Sequence, residues 1–214
     1  TDVDTLVEWM VGRRLEQAFP PKPPRQANPQ TVLEARGVQL AEGAPANSFV
    51  LRAGEILGFA GLVGSGRSEL ARAVIGADPA WKREVFVNGR EVALKDPAEA
   101  MKNGIGLLPE SRKTEGLIVD FSVRDNISIN NLGKYLGFGP FIDHRVEGET
   151  TREVMGRVGV KAPGPMSVVS QLSGGNQQKV VIARELNREL KLLLASQPTR
   201  GVDVGSIEFI HKRI

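Results

Sequence analysis

Nine consecutive residues, Gly61-Leu62-Val63-Gly64-Ser65-Gly66-Arg67-Ser68-Glu69, constrain this chain more than any other stretch. They follow an apolar run at residues 55–60 and precede a helical pattern that continues through Ile75. Glycines at 61, 64 and 66 let the backbone wrap closely around an oxyanion, while successive N–H groups and a helix N-terminus supply positive potential. The spacing is that of a phosphate-binding loop, with Arg67 where the motif carries Lys. A dinucleotide loop competes, but Glu69 stands in place of the third glycine of that fingerprint, which favours a mononucleotide. A plain strand-to-helix turn is the remaining reading of this motif by itself.

Composition narrows the class. At 214 residues and 41% apolar, the chain fits one α/β domain with an appendage or two very small domains. The net charge of +3 and the 5% aromatic content do not imply nucleic-acid binding. With no Cys, disulfides, zinc ribbons, iron–sulfur clusters and thiol nucleophiles are excluded together, which suits a reducing compartment. His144 and His211 are too few for a His-rich metal site, and both read as surface residues. The most apolar stretch, residues 49–63, is interrupted by Arg52 and Glu55 and falls short of the roughly 20 apolar residues that cross a bilayer. The first residues, Thr-Asp-Val-Asp, have neither a basic start nor an apolar signal segment, and the sequence begins and ends abruptly, as a fragment would.

Residues 3–19 carry Leu6, Val7, Met10, Val11 and Leu15 at helical spacing, and five prolines follow between Pro20 and Pro29. That Pro-rich segment reads as a linker or as an ordered loop on a domain surface. Strands are expected at 31–38, 48–52 and 55–60, the last one buried. Further strands at 85–87 and 91–94 flank Asn88-Gly89, which suits a tight hairpin and predicts a small antiparallel sheet. Asp96-Pro97 with Glu99 marks a helix start, and residues 105–108 read as a buried strand. Helices are expected at 122–130 and 145–158, within a mostly helical insertion. After Leu172 come a helix through Asn187, an apolar strand at 192–195 and a turn ending near Gly205. Helix alternating with buried strand argues for a mainly parallel sheet.

A second motif raises the phosphate reading. Leu172-Ser173-Gly174-Gly175-Asn176-Gln177-Gln178-Lys179 opens a helix with a good cap and two glycines that expose backbone donors, about a hundred residues after the loop. With these pieces and Pro198-Thr199-Arg200-Gly201-Val202-Asp203, the chain resembles the nucleotide-binding domains of ABC transporters. The stretch Leu108-Pro109-Glu110-Ser111-Arg112-Lys113-Thr114-Glu115-Gly116-Leu117 is similar to the second, C-terminal ATPase domain of duplicated importers for simple sugars. Residues 195–198 and 207–212 are similar to related nucleoside importers. The resemblance implies an α/β P-loop NTPase core with a small antiparallel β-subdomain and a helical subdomain at about 111–170. The nucleotide-binding domain would run from 30 to 214, after a helix and inter-domain linker at 1–29.

Carried over residue by residue, the resemblance makes Gly61, Gly64, Ser65, Gly66, Arg67, Ser68 and Glu69 an ATP-binding loop, with Ser68 on Mg²⁺. Ser173, Gly174, Gly175 and Gln177 would contact the ATP of a partner domain. Several positions depart from the family. Arg67 replaces a compact ammonium by a wider planar guanidinium. Ser196 and Gln197 stand where Asp supports Mg²⁺ and Glu polarises water, and loss of that base costs roughly 10² to 10⁴ in rate. Glu110 holds the Q-loop position, Asp203 belongs to the D-loop, and no aromatic residue at 40–48 can stack on adenine. The chain stops before the family's switch histidine.

The implied partners are an N-terminal nucleotide-binding domain of the same protein, transmembrane permease subunits and, indirectly, a solute-binding protein, at the cytoplasmic face of the membrane. Arg112-Lys113 reads as a solvated loop or as a docking point for the membrane subunit. An importer ATPase is the leading reading, and a non-hydrolysing nucleotide-binding module that serves its partner's site is the alternative. ABC-type ATPases of DNA repair or translation share the motifs but usually lack the 108–117 loop, which ranks that reading low.

Overall fold

The structure, a computed structural model, describes Thr5, Leu6, Glu8, Trp9 and residues 27–214. Most of the helix expected at 3–19 and of the linker at 20–29 lies outside the described residues. The chain divides into two compact units: one holds Pro109–Arg188 and Gln197–Ile214, the other Pro23–Leu108 and Glu189–Ser196.

The second unit is built on an antiparallel sheet of order β2-β1-β3-β4, formed by β1 (Thr31–Gln39), β2 (Asn47–Arg52), β3 (Lys82–Val87) and β4 (Arg90–Glu91). Asn88 and Gly89, at φ 50° and 75°, make the hairpin between β3 and β4. This left-handed pair matches the right-handed twist of the flanking strands. Alternate residues Leu33 and Ala35 of β1 and Val85 and Val87 of β3 are buried, with α1 (Arg67–Val74) supplying Leu70, Ala73 and Val74 to the same core. Asp96 caps α2 (Pro97–Lys102) by accepting from the Glu99 N–H at 2.9 Å, as the sequence predicts. A parallel pair, β5 (Ile105–Leu108) and β6 (Leu192–Ala195), runs in register from Ile105 beside Leu192 to Leu108 beside Ala195.

Three expectations for this unit need correction. Residues 55–60 form no strand: Ile56 is 83% and Phe59 47% exposed, and the segment joins neither β5 nor β6. An apolar run becomes a buried strand only where neighbours take up its N–H and C=O groups, and here Phe59 has instead an edge-to-face contact with Phe49 at 4.9 Å. The strand expected at 91–94 ends at Glu91, because Leu94 N–H turns back to the Val92 carbonyl. Among the described residues, parallel pairing is confined to β5 and β6, so the strands are not mainly parallel.

The first unit is mostly helical, as expected. A π-type turn (Arg112–Gly116) leads to α3 (Val123–Ser128), a 3-10 segment (Ile129–Tyr135) and α4 (His144–Val158), followed by α5 (Gly174–Leu186) and α6 (Val204–Arg213). Helices α3, α4 and α5 pack on one another through Val123, Ile127, Val154, Val158, Val180 and Val181, all buried. Ser122 and Asp143 cap α3 and α4. The turn expected to end near Gly205 spans residues 198–201 and gives way at Val204 to α6, which Asp203 caps by accepting from the Ser206 N–H at 2.9 Å.

Candidate functional site

The glycine loop lies in the second unit, between residues 55–60, which form no strand, and α1. Gly64 and Gly66 hold φ of 82° and 84°, a region that admits glycine freely and other residues at a cost. At Gly61 a Cβ would stand 2.6 Å from the Ser65 hydroxyl oxygen, so a side chain there would make the Ser65 side chain move. The Ser65 N–H donates to the Leu62 carbonyl at 3.1 Å, and α1 opens at Arg67 with Gly66 as a cap that carries no side chain. Leu62 and Val63 face solvent. This is a tight, exposed, glycine-rich turn at a helix N-terminus, the kind of setting whose free backbone N–H groups favour an oxyanion. Arg67 does not project freely: its Nη2 donates to the Leu62 carbonyl at 3.3 Å, so the guanidinium braces the loop.

The donor set fits phosphate better than a divalent cation. Mg²⁺ prefers oxygen ligands with at least one carboxylate. Here Ser68 offers a hydroxyl, and Ser196, at the end of β6, is neutral and ties its N–H to the Leu108 carbonyl at 2.9 Å. Among the described residues no group of three or more His, Asp or Glu side chains is placed to hold a metal ion. Gln197 has φ 48°, is exposed and forms a turn in which its carbonyl accepts from the Arg200 N–H at 3.0 Å.

In the first unit, the structure brings Ser173, Gly174, Gly175, Gln177, Glu110 and Asp203 into one neighbourhood. Ser173 caps α5, its hydroxyl accepting from the Asn176 side-chain amide at 3.0 Å and from the Asn176 N–H at 3.5 Å. Gly174 and Gly175 lie in close approach to their neighbours, which a side chain at either position would displace. A Cβ on Gly174 would lie 2.7 Å from Arg112 Nη2 and 3.1 Å from the Gly201 carbonyl oxygen. On Gly175 it would lie 2.6 Å from a carboxylate oxygen of Asp203 and would overlap the Ser206 hydroxyl. The N-termini of α5 and α6 are therefore packed together. Gln177 is 4% exposed and donates to the Val169 carbonyl at 3.1 Å, so its side chain faces the interior of its own unit.

Two charges here are tuned by these contacts. The Ser206 hydroxyl and N–H, both donating to Asp203, hold its carboxyl below the usual carboxylate value, with Lys179 adding a smaller effect. Burial lowers the Lys179 ammonium, as does the nearby Lys161, while its Nζ donates to the Gly159 carbonyl at 3.1 Å and stands 4.7 Å from the centre of the Phe209 ring.

Arg112 departs from the solvated loop expected of it. Its Nη1 donates to the Arg200 carbonyl at 2.9 Å, its Nη2 to the Gly201 carbonyl at 3.1 Å, and its Nε to Gln177 Oε1 at 3.4 Å. Glu110 forms an ion pair with Arg200. Lys113 remains exposed. No local pattern in the sequence reveals the Arg112 contacts, whose partners are 65 to 89 residues away.

A profile of the family described as ABC transporter matches residues 46–200, which include the glycine loop and the Ser173 turn. The chain belongs to the ABC transporter family. This ABC protein is 60% identical over 206 residues to the ribose import ATP-binding protein RbsA 2 of Burkholderia ambifaria, covering 96% of the chain and 41% of that relative. It is 54% identical over 210 residues to ribose import ATP-binding protein RbsA of Hahella chejuensis, with 98% and 42% covered. To a putative ribose/galactose/methyl galactoside import ATP-binding protein 1 of Burkholderia lata it is 42% identical over 212 residues, with 99% and 41% covered. The chain thus spans well under half the length of these curated relatives.

The fold is that of an ATP-binding cassette. The ADP conformation of MJ1267, an ATP-binding cassette of an ABC transporter, superposes with a TM-score of 0.68 at 20% identity, covering 86% of this ABC chain and 75% of that one. A nucleotide-free cassette gives 0.69 at 21% identity, with 84% and 74% covered. Among the described residues no helix is long and apolar enough to cross a membrane.

Proposed function

We propose that this chain is the ATP-binding domain of an ABC importer that energises uptake of a simple sugar such as ribose, or of a nucleoside. In this reading its Ser173 turn completes the ATP site of an N-terminal nucleotide-binding domain in the same, longer protein. The observation that carries the reading is the 60% identity, over 96% of the chain, to a ribose import ATP-binding protein. Transmembrane permease subunits are the direct partners and a solute-binding protein an indirect one, with the domain peripheral at the cytoplasmic face.

When bound, ATP with Mg²⁺ supplies the phosphoanhydride whose cleavage drives transport. In the chain's own site the backbone of Gly61, Gly64, Ser65 and Gly66 would cradle phosphate, Ser68 would offer its hydroxyl to Mg²⁺ brought in by the nucleotide, and Arg67 and Glu69 would flank the loop. Ser196 brings no charge to the cation. Gln197 cannot take a proton from water, which weakens this site by roughly 10² to 10⁴. Glu110, in the Q-loop position, and Asp203, in the D-loop, would act beside the Ser173 turn. That turn keeps its cap and both glycines, so Ser173, Gly174, Gly175 and Gln177 serve the partner's ATP: the first three at the helix N-terminus, Gln177 by holding the turn from within.

A second reading has specific support. Neutral Ser196 and Gln197 favour a module that binds nucleotide without hydrolysing it and transmits movement to the membrane subunit. One experiment tests both: in the intact protein, Ser173→Ala should abolish most ATPase activity, while Arg67→Ala should lower it far less. Equal losses from the two substitutions would remove the asymmetry on which the proposal stands.

A further inference from the structure

Three segments far apart in sequence meet at one guanidinium. Arg112, in the first turn after β5, reaches the carbonyls of Arg200 and Gly201 at 2.9 and 3.1 Å and the Gln177 side chain at 3.4 Å. Glu110, two residues before it, pairs with the Arg200 side chain, so residues 110–112 hold the 200–201 turn by side-chain and backbone contacts at once. The arrangement is closely fitted: a methyl group on Gly174 would stand 2.7 Å from Arg112 Nη2, and Gly201, at φ 64°, turns the chain toward that guanidinium. Gln177 is fixed from the other side by donating to the Val169 carbonyl, which leaves its Oε1 directed at Arg112. A planar fork that satisfies two carbonyls and an amide oxygen is a task for Arg; Lys, whose three donors share one compact ammonium nitrogen, cannot span it.

We propose that Arg112 is a positioning residue. It fixes the 198–203 segment, and through it the N-terminus of α6, against the Ser173-Gly174-Gly175 turn, so that the turn after β5 and the phosphate-facing turn move as one piece. The functional half of this inference rests on the reading that the Ser173 turn engages ATP; the latch itself does not. A displacement in the 110–112 segment would then reach the Ser173 turn directly through hydrogen bonds.

The test uses the intact protein with two readouts. Amide hydrogen exchange of residues 198–206 should quicken about tenfold or more in Arg112→Lys, with residues 144–158 of α4 unchanged, and Glu110→Gln should give a smaller change in the same residues. In steady-state ATPase assays, Arg112→Lys should lower kcat by about tenfold with KM for ATP within about twofold, the pattern of a group misplaced while binding is kept. Unchanged exchange at 198–206, or exchange that rises equally everywhere, overturns the latch. Localised exchange with an unchanged kcat overturns its positioning role, provided that Ser173→Ala abolishes activity in the same preparation. If Ser173→Ala is also silent, the failure belongs to the reading of the Ser173 turn, and the exchange result alone decides the latch. Should Arg112→Ala fail to fold, Arg112→Lys and Glu110→Gln carry the test without it.

Discussion

At Asp203 one carboxylate caps α6 and fills the space that a side chain on Gly175 would need. Removing it with Asp203→Ala should destabilise the protein by about 1 kcal/mol, the usual worth of a helix cap, read from urea denaturation midpoints. The pH dependence has a fixed sign. The Ser206 bonds lower the folded-state carboxyl below 3.8, its unfolded value. The stabilisation is therefore complete above that value and is lost as pH falls through the lower folded value. Wild type should accordingly lose its advantage over Asp203→Asn only as pH falls below 3.8, the ordinary carboxyl value. Residue types were legible in the sequence wherever chemistry demands them locally, as in the glycines of the loop and the Ser173 cap. Arg112 was not, because its partners come from turns that are close only after folding.

At the scale of elements, the hairpin at Asn88-Gly89 and the caps at Asp96, Ser122 and Ser173 follow from backbone preferences of a few neighbouring residues, and the structure has each of them. Residues 55–60 show the limit of that reasoning. Their apolar pattern describes a strand, but a strand exists by its partner's hydrogen bonds, and composition cannot supply the partner. Glycines separate local from packing effects in the same way. Gly54 and Gly76 have nearly equal φ, 72° and 78°, yet a Cβ on Gly54 would meet open space while one on Gly76 would stand 2.9 Å from the Asp96 backbone nitrogen. Gly54→Ala should cost about 1 kcal/mol from backbone strain, and Gly76→Ala clearly more, because the Leu94–Asp96 backbone must shift. Thermal or urea melts of the two variants measure the difference.

For the molecule as a whole, the chain leaves the second unit after Leu108 and returns to it at Glu189, so β5 waits for β6 across the entire helical segment. Such a non-local pairing is slow to form compared with the β1–β2 and β3–β4 ladders. Fold class was readable because glycine loop, helical insertion and apolar strand recur in a fixed order along the sequence. The ladder partners were not, because several topologies satisfy that order. The exposed run at Ile56, Leu57 and Phe59 carries a practical cost. From Ile56 to Gly66 no residue is charged, and Arg52, Glu55 and Arg67 are the nearest guards at its two ends. An uncharged, largely apolar stretch open to solvent favours association between molecules. Light scattering of this 214-residue chain should therefore rise steeply with concentration, and Leu57→Lys should restore a monodisperse solution.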